Sequence, residues 1–137
     1  MNMTSKDTIR LLIEEVFNAG NTSVLSEVIH PNYRYQSPTE SMEGVEDLKT
    51  FILAFRIAFP DLHIQIEDQM AEGDRVSTRI TMTGTHQGDF LDLPPTGKRV
   101  RVQGVVLSRL EDGLIVEEWE LLDQLTLLQQ LGLAESV

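Results

Sequence analysis

The hydrophobic pattern of the chain changes its period once, close to residue 61, and this change limits the possible folds more than any other feature. Before it, apolar residues recur at spacings of three and four, which is typical of one face of a helix. The two clearest runs are Ile9, Leu12, Ile13, Val16 and Phe17, and then Val45, Leu48, Phe51, Ile52 and Phe55. After it, apolar and polar residues alternate, as in strands with one buried face. Helices followed by a separate run of strands indicate an α+β fold.

Turn and cap residues divide these runs into elements. Helices are predicted between Thr4 and Gly20 and over 23–29, 44–58 and 125–131. Strands are predicted over 62–67, 75–83, 99–110 and 114–123, with an extended stretch in 32–42 and a loop over 84–97. The 137 residues match one domain of about 100–150 residues, so we interpret 1–137 as a single domain. Helices on the concave side of a strongly curved, mostly antiparallel sheet would enclose a small-molecule pocket.

The charge balance argues against two classes of partner. The chain has 22 acidic and 11 basic residues, which gives a formal net charge of −11. Nucleic acids and anionic membranes bind basic surfaces, so we expect neither as a partner. No apolar run approaches the roughly 20 residues that span a bilayer. The sequence begins without the apolar stretch of a secretory signal, so we expect a cytoplasmic protein.

Residue types and spacings exclude or disfavour several kinds of reactive site. No cysteine is present, which excludes disulfides, thiol nucleophiles and zinc–cysteine sites. His30, His63 and His86 form no HxH or HExxH pair, so no metal site is predicted. The sequence also lacks a GxSxG motif and a phosphate-binding glycine loop. Carboxylates and single histidines remain as candidates for chemistry.

Asp123 is the first candidate for a catalytic group. On a regular last strand it shares a face with Ile115, Glu117, Trp119 and Leu121, and the large apolar members favour this as the inner face. A carboxylate there would be partly desolvated, which raises its pKa toward that of a useful general base. The alternative is that Asp123 caps the terminal helix by accepting a hydrogen bond from a backbone N–H.

His86 and Phe90 lie in the segment 84–98, which we interpret as an ordered rim of the pocket because Pro94 and Pro95 restrict its path. If the preceding strand continues regularly, His86 shares the inward parity of Ile80. It would then serve as a proton shuttle or as a partner for an enolate near neutral pH. Alternatively, it pins the loop through a hydrogen bond. Phe90 would dip inward and close the pocket from water.

The turn between the last two strands leaves two registers open. A two-residue turn at Asp112–Gly113 places Asp123 opposite Val102. A three-residue loop over 111–113 places Asp123 opposite Arg101. One residue of slip exchanges the whole lining of the pocket.

The second of these registers brings Gln103 and Arg109 to the face of Trp119, together with Val105 and Leu107. In the other interpretation, Arg109 is a solvent-facing charge on the outer side of the sheet.

Three segments together resemble one protein family: AFPDL at 58–62, GTHQGDFLDLPPTGKRV at 84–100 and LEDGLIVEEWELLDQLTLLQQLG at 110–132. They resemble the SnoaL-like polyketide cyclases, also called ester cyclases, of the NTF2-like superfamily of cone-shaped α+β folds. The resemblance covers nearly the whole chain. It implies closure of a ring of a polyketide ester by intramolecular aldol condensation. It also implies an acidic residue on the last strand and no metal or organic cofactor.

The resemblance matches the acidic position to Asp123. It also favours the three-residue loop, because that register brings a polar group beside the acid. Gln36 stands where many relatives have His or Asn, and Arg109 stands where the characterised cyclases have His. The expected catalytic residues are Asp123 and His86, and the expected substrate-binding residues are Trp119, Gln36, Gln103, Arg109 and Phe90.

Two further expectations depend on the resemblance. The superfamily also contains isomerases, dehydratases and binding proteins, so the alternative function is a small-molecule binding module, or an isomerase or dehydratase with the same pocket. Superfamily members commonly dimerise, and large apolar patches mark interfaces. A homodimer is therefore predicted through an apolar outer face made by Val102, Val106, Leu110, Leu114, Val116 and Leu122.

Overall fold

The amino-terminal helix begins at the cap that the sequence predicts. The computed structural model describes residues 3–134, so the ends of the predicted 1–137 domain lie outside the described residues. The Thr4 side chain accepts a hydrogen bond from the Asp7 amide, and the Asp7 carboxylate accepts one from the Thr4 amide. This reciprocal capping box starts helix α1 at Ser5–Leu11. The helix continues as wider π-helical turns over Leu12–Asn18.

The remaining elements follow the predicted order. After a 3₁₀ turn at Thr22–Val24, the helices are α2 (Leu25–Val28), α3 (Gly44–Ala58) and α4 (Gln124–Leu131). The strands are β1 (Ile29–Gln36), β2 (Ser41–Glu43), β3 (His63–Glu72), β4 (Arg75–Thr85), β5 (Arg99–Glu111) and β6 (Leu114–Leu122). Strand β1 starts at Ile29, where the second helix was predicted to end, because Pro31 disfavours helical backbone at the preceding residue. The α+β prediction is confirmed.

The six strands form one curved sheet in the order β2-β1-β6-β5-β4-β3. Every neighbouring pair is antiparallel except β1 and β6, which run parallel. Helices α1 and α3 pack on one face of the sheet, and their buried residues Ile9 and Ile52 join Ile80 and Ile115 of the strands in one core. Within residues 3–134, no helix is long and apolar enough to cross a membrane.

The hairpin between β5 and β6 has the shorter of the two predicted turns. Asp112 and Gly113 have φ values of 54° and 78°, and a two-residue type I′ turn requires left-handed backbone at both positions. Glu111 consequently pairs with Leu114. The favoured alternative, a three-residue loop with Leu110 opposite Leu114, is wrong because the Asp–Gly pair closes the turn by itself.

A β-bulge in β6 follows this turn. Leu110 pairs with Ile115, but the next pair joins Arg109 to Glu117, which leaves Val116 as an extra residue. Side chains alternate between the faces of a strand, so one extra residue moves every later side chain to the opposite face. The alternation predicted for β6 is therefore correct up to Ile115 and reversed beyond the bulge.

The inner and outer faces predicted for the end of β6 are thus exchanged. Trp119 and Leu121 are 49% and 63% exposed on the outer face of the sheet. On that face they pair with Leu107 and Val105 of β5. The prediction that these four residues share one face is correct, but the prediction that this face is the inner one is wrong. The residues predicted to form an apolar outer face are instead buried or half-buried: Val102, Val106, Leu110, Leu114, Val116 and Leu122.

The loop between β4 and β5 is tied to α3 and to itself. The amides of Gln87 and Gly88 donate hydrogen bonds of 2.9 and 3.1 Å to the carbonyl of Ala58, the last residue of α3. The amide of Gly97 donates to the carbonyl of His86 at 2.8 Å, which joins the two ends of the loop. These bonds give the loop the ordered path that its prolines predict.

We expect Gly88→Ala to destabilise the protein by about 1–3 kcal/mol, the usual cost of an added group in a packed site. A Cβ at this position would lie 2.2 Å from the backbone oxygen of Ile57, and backbone cannot move aside as a side chain can. Urea unfolding measures the effect, with Asp89→Ala as the control because Asp89 is exposed in the same loop. Equal stability of both variants would contradict the close approach of loop and helix.

Candidate active site

Two carboxylates of β6 enter the interior of the cone because of the bulge. Glu118 is only 6% exposed and Glu120 is half-buried, and both face the helices. Tyr33 and Tyr35 are buried on the same face of the neighbouring strand β1. The parallel pairing of β1 with β6 brings the two tyrosine hydroxyls to the two carboxylates.

Glu118 is held by two hydroxyl groups. The Tyr33 hydroxyl donates to Glu118 Oε1 and the Ser108 hydroxyl donates to Oε2, each at 2.8 Å. Burial raises the pKa of Glu118 to about 7, although the two hydrogen bonds act in the opposite direction. Because both oxygens already have donors, this carboxyl group is a structural element of the interior.

Glu120 accepts fewer hydrogen bonds than Glu118 does. The Tyr35 hydroxyl donates a hydrogen bond to Glu120 Oε1, and among residues 3–134 no donor contacts the second oxygen. Burial raises the pKa of Glu120, and the nearby charge of Glu40 acts in the same direction. A carboxylate in this state is a stronger base than one in water and has an oxygen free to accept a proton.

A cavity of about 260 Å³ opens beside Glu120. Its walls are mostly apolar and include Phe51, Phe55, Phe90, Leu122, Leu127 and Leu128. A smaller internal space of about 40 Å³ adjoins it and shares Tyr35, Phe51 and Glu120 as lining residues. Of these two spaces, Glu118 lines the smaller one and not the larger. Of the two interior carboxylates, Glu120 is therefore the one that a ligand in the larger cavity can reach.

Aromatic rings form one continuous wall of this cavity. The ring centroids of Tyr35 and Phe51 lie 5.7 Å apart, those of Phe51 and Phe55 5.0 Å apart, and those of Phe55 and Phe90 5.4 Å apart. These spacings are typical of interacting aromatic pairs. A flat, unsaturated ligand would find complementary surface along this wall.

The charged groups around the cavity have one sign. Glu40, Glu118 and Glu120 line the two spaces, and no Lys or Arg is among their described lining residues. Bringing a carboxylate ligand into this interior would place like charges together without a compensating cation. The site is therefore suited to a ligand without negative charge. Among residues 3–134, no group of three or more His, Asp or Glu side chains is arranged to hold a metal ion.

Comparison with known proteins places the chain in a family. Residues 7–131 match the family model described as SnoaL-like polyketide cyclase. The aklanonic acid methyl ester cyclase DnrD of Streptomyces peucetius is 27% identical over 133 residues, which are 94% of this chain and 91% of that protein. The chain belongs to the SnoaL-like polyketide cyclase family.

Solved structures agree with membership of the SnoaL-like family. TsrD from Streptomyces laurentii superimposes with a TM-score of 0.87 at 28% identity, covering 98% of this chain and 99% of that one. AclR from Streptomyces galilaeus, a suggested hydroxylase, gives a TM-score of 0.86 at 32% identity, covering 97% of this chain and 83% of that one. The predicted NTF2-like cone is confirmed.

In this SnoaL-like chain, Asp123 lies at the N-cap of α4 and not inside the cone. Its carboxylate is exposed and accepts hydrogen bonds from the Thr126 hydroxyl at 2.6 Å and the Thr126 amide at 3.1 Å. These bonds lower the pKa of Asp123, which is the opposite of what a general base needs. The prediction of an inward-facing Asp123 is wrong because the bulge exchanges the two faces of β6. The alternative prediction, that Asp123 caps the terminal helix, is correct.

Phe90 lines the cavity, as expected, whereas His86, which was expected to face it, does not. His86 is fully buried, and Phe90 is half-buried and lines the larger cavity. The His86 ring lies behind Phe90 and is not part of the cavity wall. Its Nδ1 atom is hydrogen-bonded to Thr96, so the hydrogen bond that was predicted to hold the loop in place is present.

The other four predicted binding residues lie on the outer side of the sheet. Gln36 and Gln103 are exposed, and Gln36 pairs with the exposed Trp119 across β1 and β6. Arg109 lies 3.7 Å from Glu117 in an ion pair. Gln36 and Trp119 border an open depression of about 460 Å³, and neither lines the cavity beside Glu120. For Trp119, Gln103 and Arg109 the expected place in the pocket is wrong because the inner and outer faces were exchanged. Gln36, which was expected there from the resemblance alone, alternates outward from the buried Tyr35 on β1.

Glu120, Glu118, Tyr33 and Tyr35 are the site residues that the sequence analysis missed. Two signals in the sequence point to them. Tyr33 and Tyr35 have the spacing of one strand face, and Glu118 and Glu120 flank Trp119 with the same spacing. When two such pairs lie on adjacent strands, each buried polar side chain can find a hydrogen-bond partner on the neighbouring strand.

We expect the stability contributed by Glu118 to depend on pH. Because its pKa is raised from 4.5 to about 7 in the folded protein, the fold binds this proton more tightly than the unfolded chain does. The contribution is complete below about pH 4.5 and is lost as the pH rises through 7, a change on the order of 3 kcal/mol. Urea unfolding of wild type and Glu118→Gln between pH 4 and 8 measures it.

As the pH rises, wild type should lose stability relative to Glu118→Gln, because glutamine does not titrate. Glu72→Gln is the control, since Glu72 is exposed at the end of β3. Parallel curves for wild type and Glu118→Gln would contradict the raised pKa.

Proposed function

We propose that this chain closes a ring of a polyketide-like ester by intramolecular aldol addition, with Glu120 as the general base. The position of the Glu120 carboxylate carries the proposal. It faces a cavity of about 260 Å³ with an aromatic wall, and its pKa is raised by burial. A base of this kind must reach a carbon-bound proton of the ligand, and Glu120 is among the residues that line the cavity.

The reaction needs one proton acceptor and conserves all atoms. Glu120 removes a proton from a carbon flanked by carbonyl groups, and the electron pair of that C–H bond passes into an enolate. The enolate carbon then bonds to a ketone carbon of the same molecule, whose oxygen becomes an alkoxide. The proton held by Glu120 returns to this alkoxide. Holding both reacting carbons in one cavity supplies much of the rate enhancement.

Tyr35 supports both stages of this reaction. Burial and the neighbouring Glu120 raise the pKa of Tyr35, so its hydroxyl remains protonated and available as a donor. In the free protein that hydroxyl donates to Glu120. When the carboxyl takes up a proton, the same hydroxyl is released to donate to the developing oxyanion of the ligand.

The expected substrate is an uncharged aromatic polyketide ester. The like-charged lining favours an ester over a free acid, and the row of rings favours a flat conjugated system. The related DnrD protein is described as acting on a methyl ester, which agrees with this charge preference. The same base would also serve an isomerase or a dehydratase, and a binding module would need the cavity without the base.

We expect Glu120→Gln to fold and bind ligand but to lose turnover by at least ~10²-fold, the typical contribution of a general base. Glutamine keeps the size of the side chain and an oxygen that accepts from Tyr35, but it cannot hold a proton. The assay is conversion of an aromatic polyketide methyl ester to an isomer of equal mass, separated by chromatography and identified by mass spectrometry.

Asp123→Asn is the matched control, because asparagine is an equally good helix cap and Asp123 lies outside the cavity. It should leave turnover within a factor of about two, since a surface substitution usually changes stability by less than ~0.5 kcal/mol. Full activity in Glu120→Gln, or loss confined to Asp123→Asn, would contradict the assignment. Ligand binding without turnover of any ester by wild type would favour the binding module.

We further propose that the protein is a homodimer through the outer face of the sheet. An exposed apolar patch covers the centre of that face, formed by Val105, Leu107, Trp119 and Leu121. Charges of both signs, among them Arg109 and Glu117, lie beside it. Patches of this composition are typical of interfaces, and a second copy would meet the apolar centre with an identical one.

Light scattering on wild type should give twice the mass of the chain, and Leu107→Glu should reduce it to that of one chain. A buried unpaired carboxylate at the centre of the patch is costly, whereas Leu107 is 53% exposed in the isolated chain and its replacement does not disturb the core. Gln65→Glu adds the same charge on the edge strand β3 and should remain dimeric. A monomeric wild type at micromolar concentration would contradict the dimer.

A further inference from the structure

We propose that His86 is a hydrogen-bond donor for a carbonyl oxygen of the ligand, and that the ligand reaches it when the Phe90 side chain moves aside. This subsite extends the cavity beside Glu120 toward the loop between β4 and β5. The inference rests on the proposed function only for the class of ligand, a neutral aromatic ketone or ester. The subsite itself follows from four observations on the loop.

The first observation is the protonation of the imidazole. The Thr96 amide donates to His86 Nδ1 at 3.2 Å, and the Thr96 hydroxyl lies 3.0 Å from the same atom. A backbone N–H can only donate, so Nδ1 is an acceptor. In a neutral imidazole the proton is then on Nε2, and this atom can only donate.

The second observation is that this donor has no partner. His86 is fully buried, and Nε2 is the one buried side-chain polar atom among residues 3–134 that lacks a hydrogen bond. Buried N–H groups are nearly always paired, because leaving one unpaired loses its bonds to water without replacement. An edge-on aromatic ring offers such a group only a weak contact. An acceptor supplied by a ligand would satisfy it.

The third observation is that one side chain, Phe90, both contacts the His86 ring and lines the cavity. Phe90 lines the cavity, and its ring lies 6.4 Å from the His86 ring and nearly perpendicular to it. Phe55 stands beside Phe90 on the cavity side, and Phe59 stands beside His86 on the inner side, with ring centroids 5.4 and 5.7 Å away. Of the two rings that contact His86, only Phe90 lines the cavity, so movement of Phe90 is the route by which the space at Glu120 would extend to the imidazole.

The fourth observation is strain next to this side chain. Phe90 and Leu93 exchange two backbone hydrogen bonds around a tight turn, in which Leu91 and Asp92 have φ values of 51° and 62°. Left-handed backbone is unfavourable for a branched residue such as Leu91, which is also 64% exposed at the cavity mouth. Strain at this place lowers the cost of an alternative loop conformation in which Phe90 has moved.

The four observations assign His86 the role of a donor and not of a base. A base at Nε2 would require the proton on Nδ1, where the Thr96 amide already donates. As a donor, Nε2–H would hold a ketone or ester oxygen and stabilise negative charge that develops on it. His86 would thereby fix the distal end of a ligand whose reacting carbon lies at Glu120.

Two substitutions separate the donor from the structural contact. His86→Asn keeps an acceptor near the position of Nδ1 for Thr96 but removes the Nε2 donor. His86→Gln places an amide N–H close to the position of Nε2 but loses the contact with Thr96. A donor role predicts that His86→Asn binds an anthraquinone methyl ester about tenfold more weakly than wild type, whereas His86→Gln retains more of the affinity.

Thermal unfolding of the same two variants supplies the comparison. If His86 has only a structural role, the more stable variant should also bind the ester more tightly. His86→Asn should then have both the higher stability and the higher affinity. The donor role predicts opposite orders: His86→Asn is the more stable and His86→Gln the tighter binder. Affinities in the structural order, or unchanged affinity in His86→Asn, would overturn the proposal.

Nuclear magnetic resonance of ¹⁵N-labelled histidine tests the contact in the wild-type protein. The Nε2–H proton of His86 should move downfield as the anthraquinone ester is added, and Phe90→Ala should increase its rate of exchange with solvent in the free protein. An unmoved Nε2–H signal up to the solubility limit of the ester would contradict the subsite. In Glu120→Gln the shift should persist, so failure of the proposed catalysis is distinguishable from failure of this inference.

Discussion

The extra residue at Val116 is the constraint on which the rest of the site depends. Without it, Trp119 and Leu121 would fill the interior and the two glutamates would lie in water. With it, the apolar pair is on the outer face, and Glu118 and Glu120 enter the space beneath the helices. A bulge costs one unpaired position in the ladder and changes the whole lining of the cone.

Burial of two carboxylates is tolerable here because β1 runs parallel to β6 and supplies a tyrosine to each. Tyr33 and Ser108 use both oxygens of Glu118, so the inner carboxyl is fully satisfied. Tyr35 donates to one oxygen of Glu120, whose side chain lines the cavity and whose second oxygen has no donor among residues 3–134. The two buried carboxyl groups thus differ in the number of hydrogen bonds they accept: the structural one, Glu118, accepts two and the reactive one, Glu120, accepts one.

Local patterns predicted most of the fold. The capping box at Thr4, the extent of α3 and the terminal helix follow from short-range chemistry, and they are confirmed. The facing of β6 could not be predicted, because nothing in the alternation of Leu114–Leu122 marks Val116 as unpaired. The bulge is a feature of how β6 pairs with β5, and that information is not local. Phe90 lines the cavity as predicted, but His86 was expected to face the cavity and is not among its lining residues, because β4 ends at Thr85 and its alternation does not extend to the next residue.

Removal of a carbon-bound proton by Glu120 is the central event, and deuterium exchange observes it without ring closure. The measurement follows, in D₂O, the C–H between the two carbonyls of an aromatic β-keto ester that lacks a second ketone. Wild-type protein should accelerate the exchange over buffer by at least ~10²-fold, and Glu120→Gln should not. Equal acceleration by both proteins, or none by wild type with the ester bound, would contradict the role of Glu120.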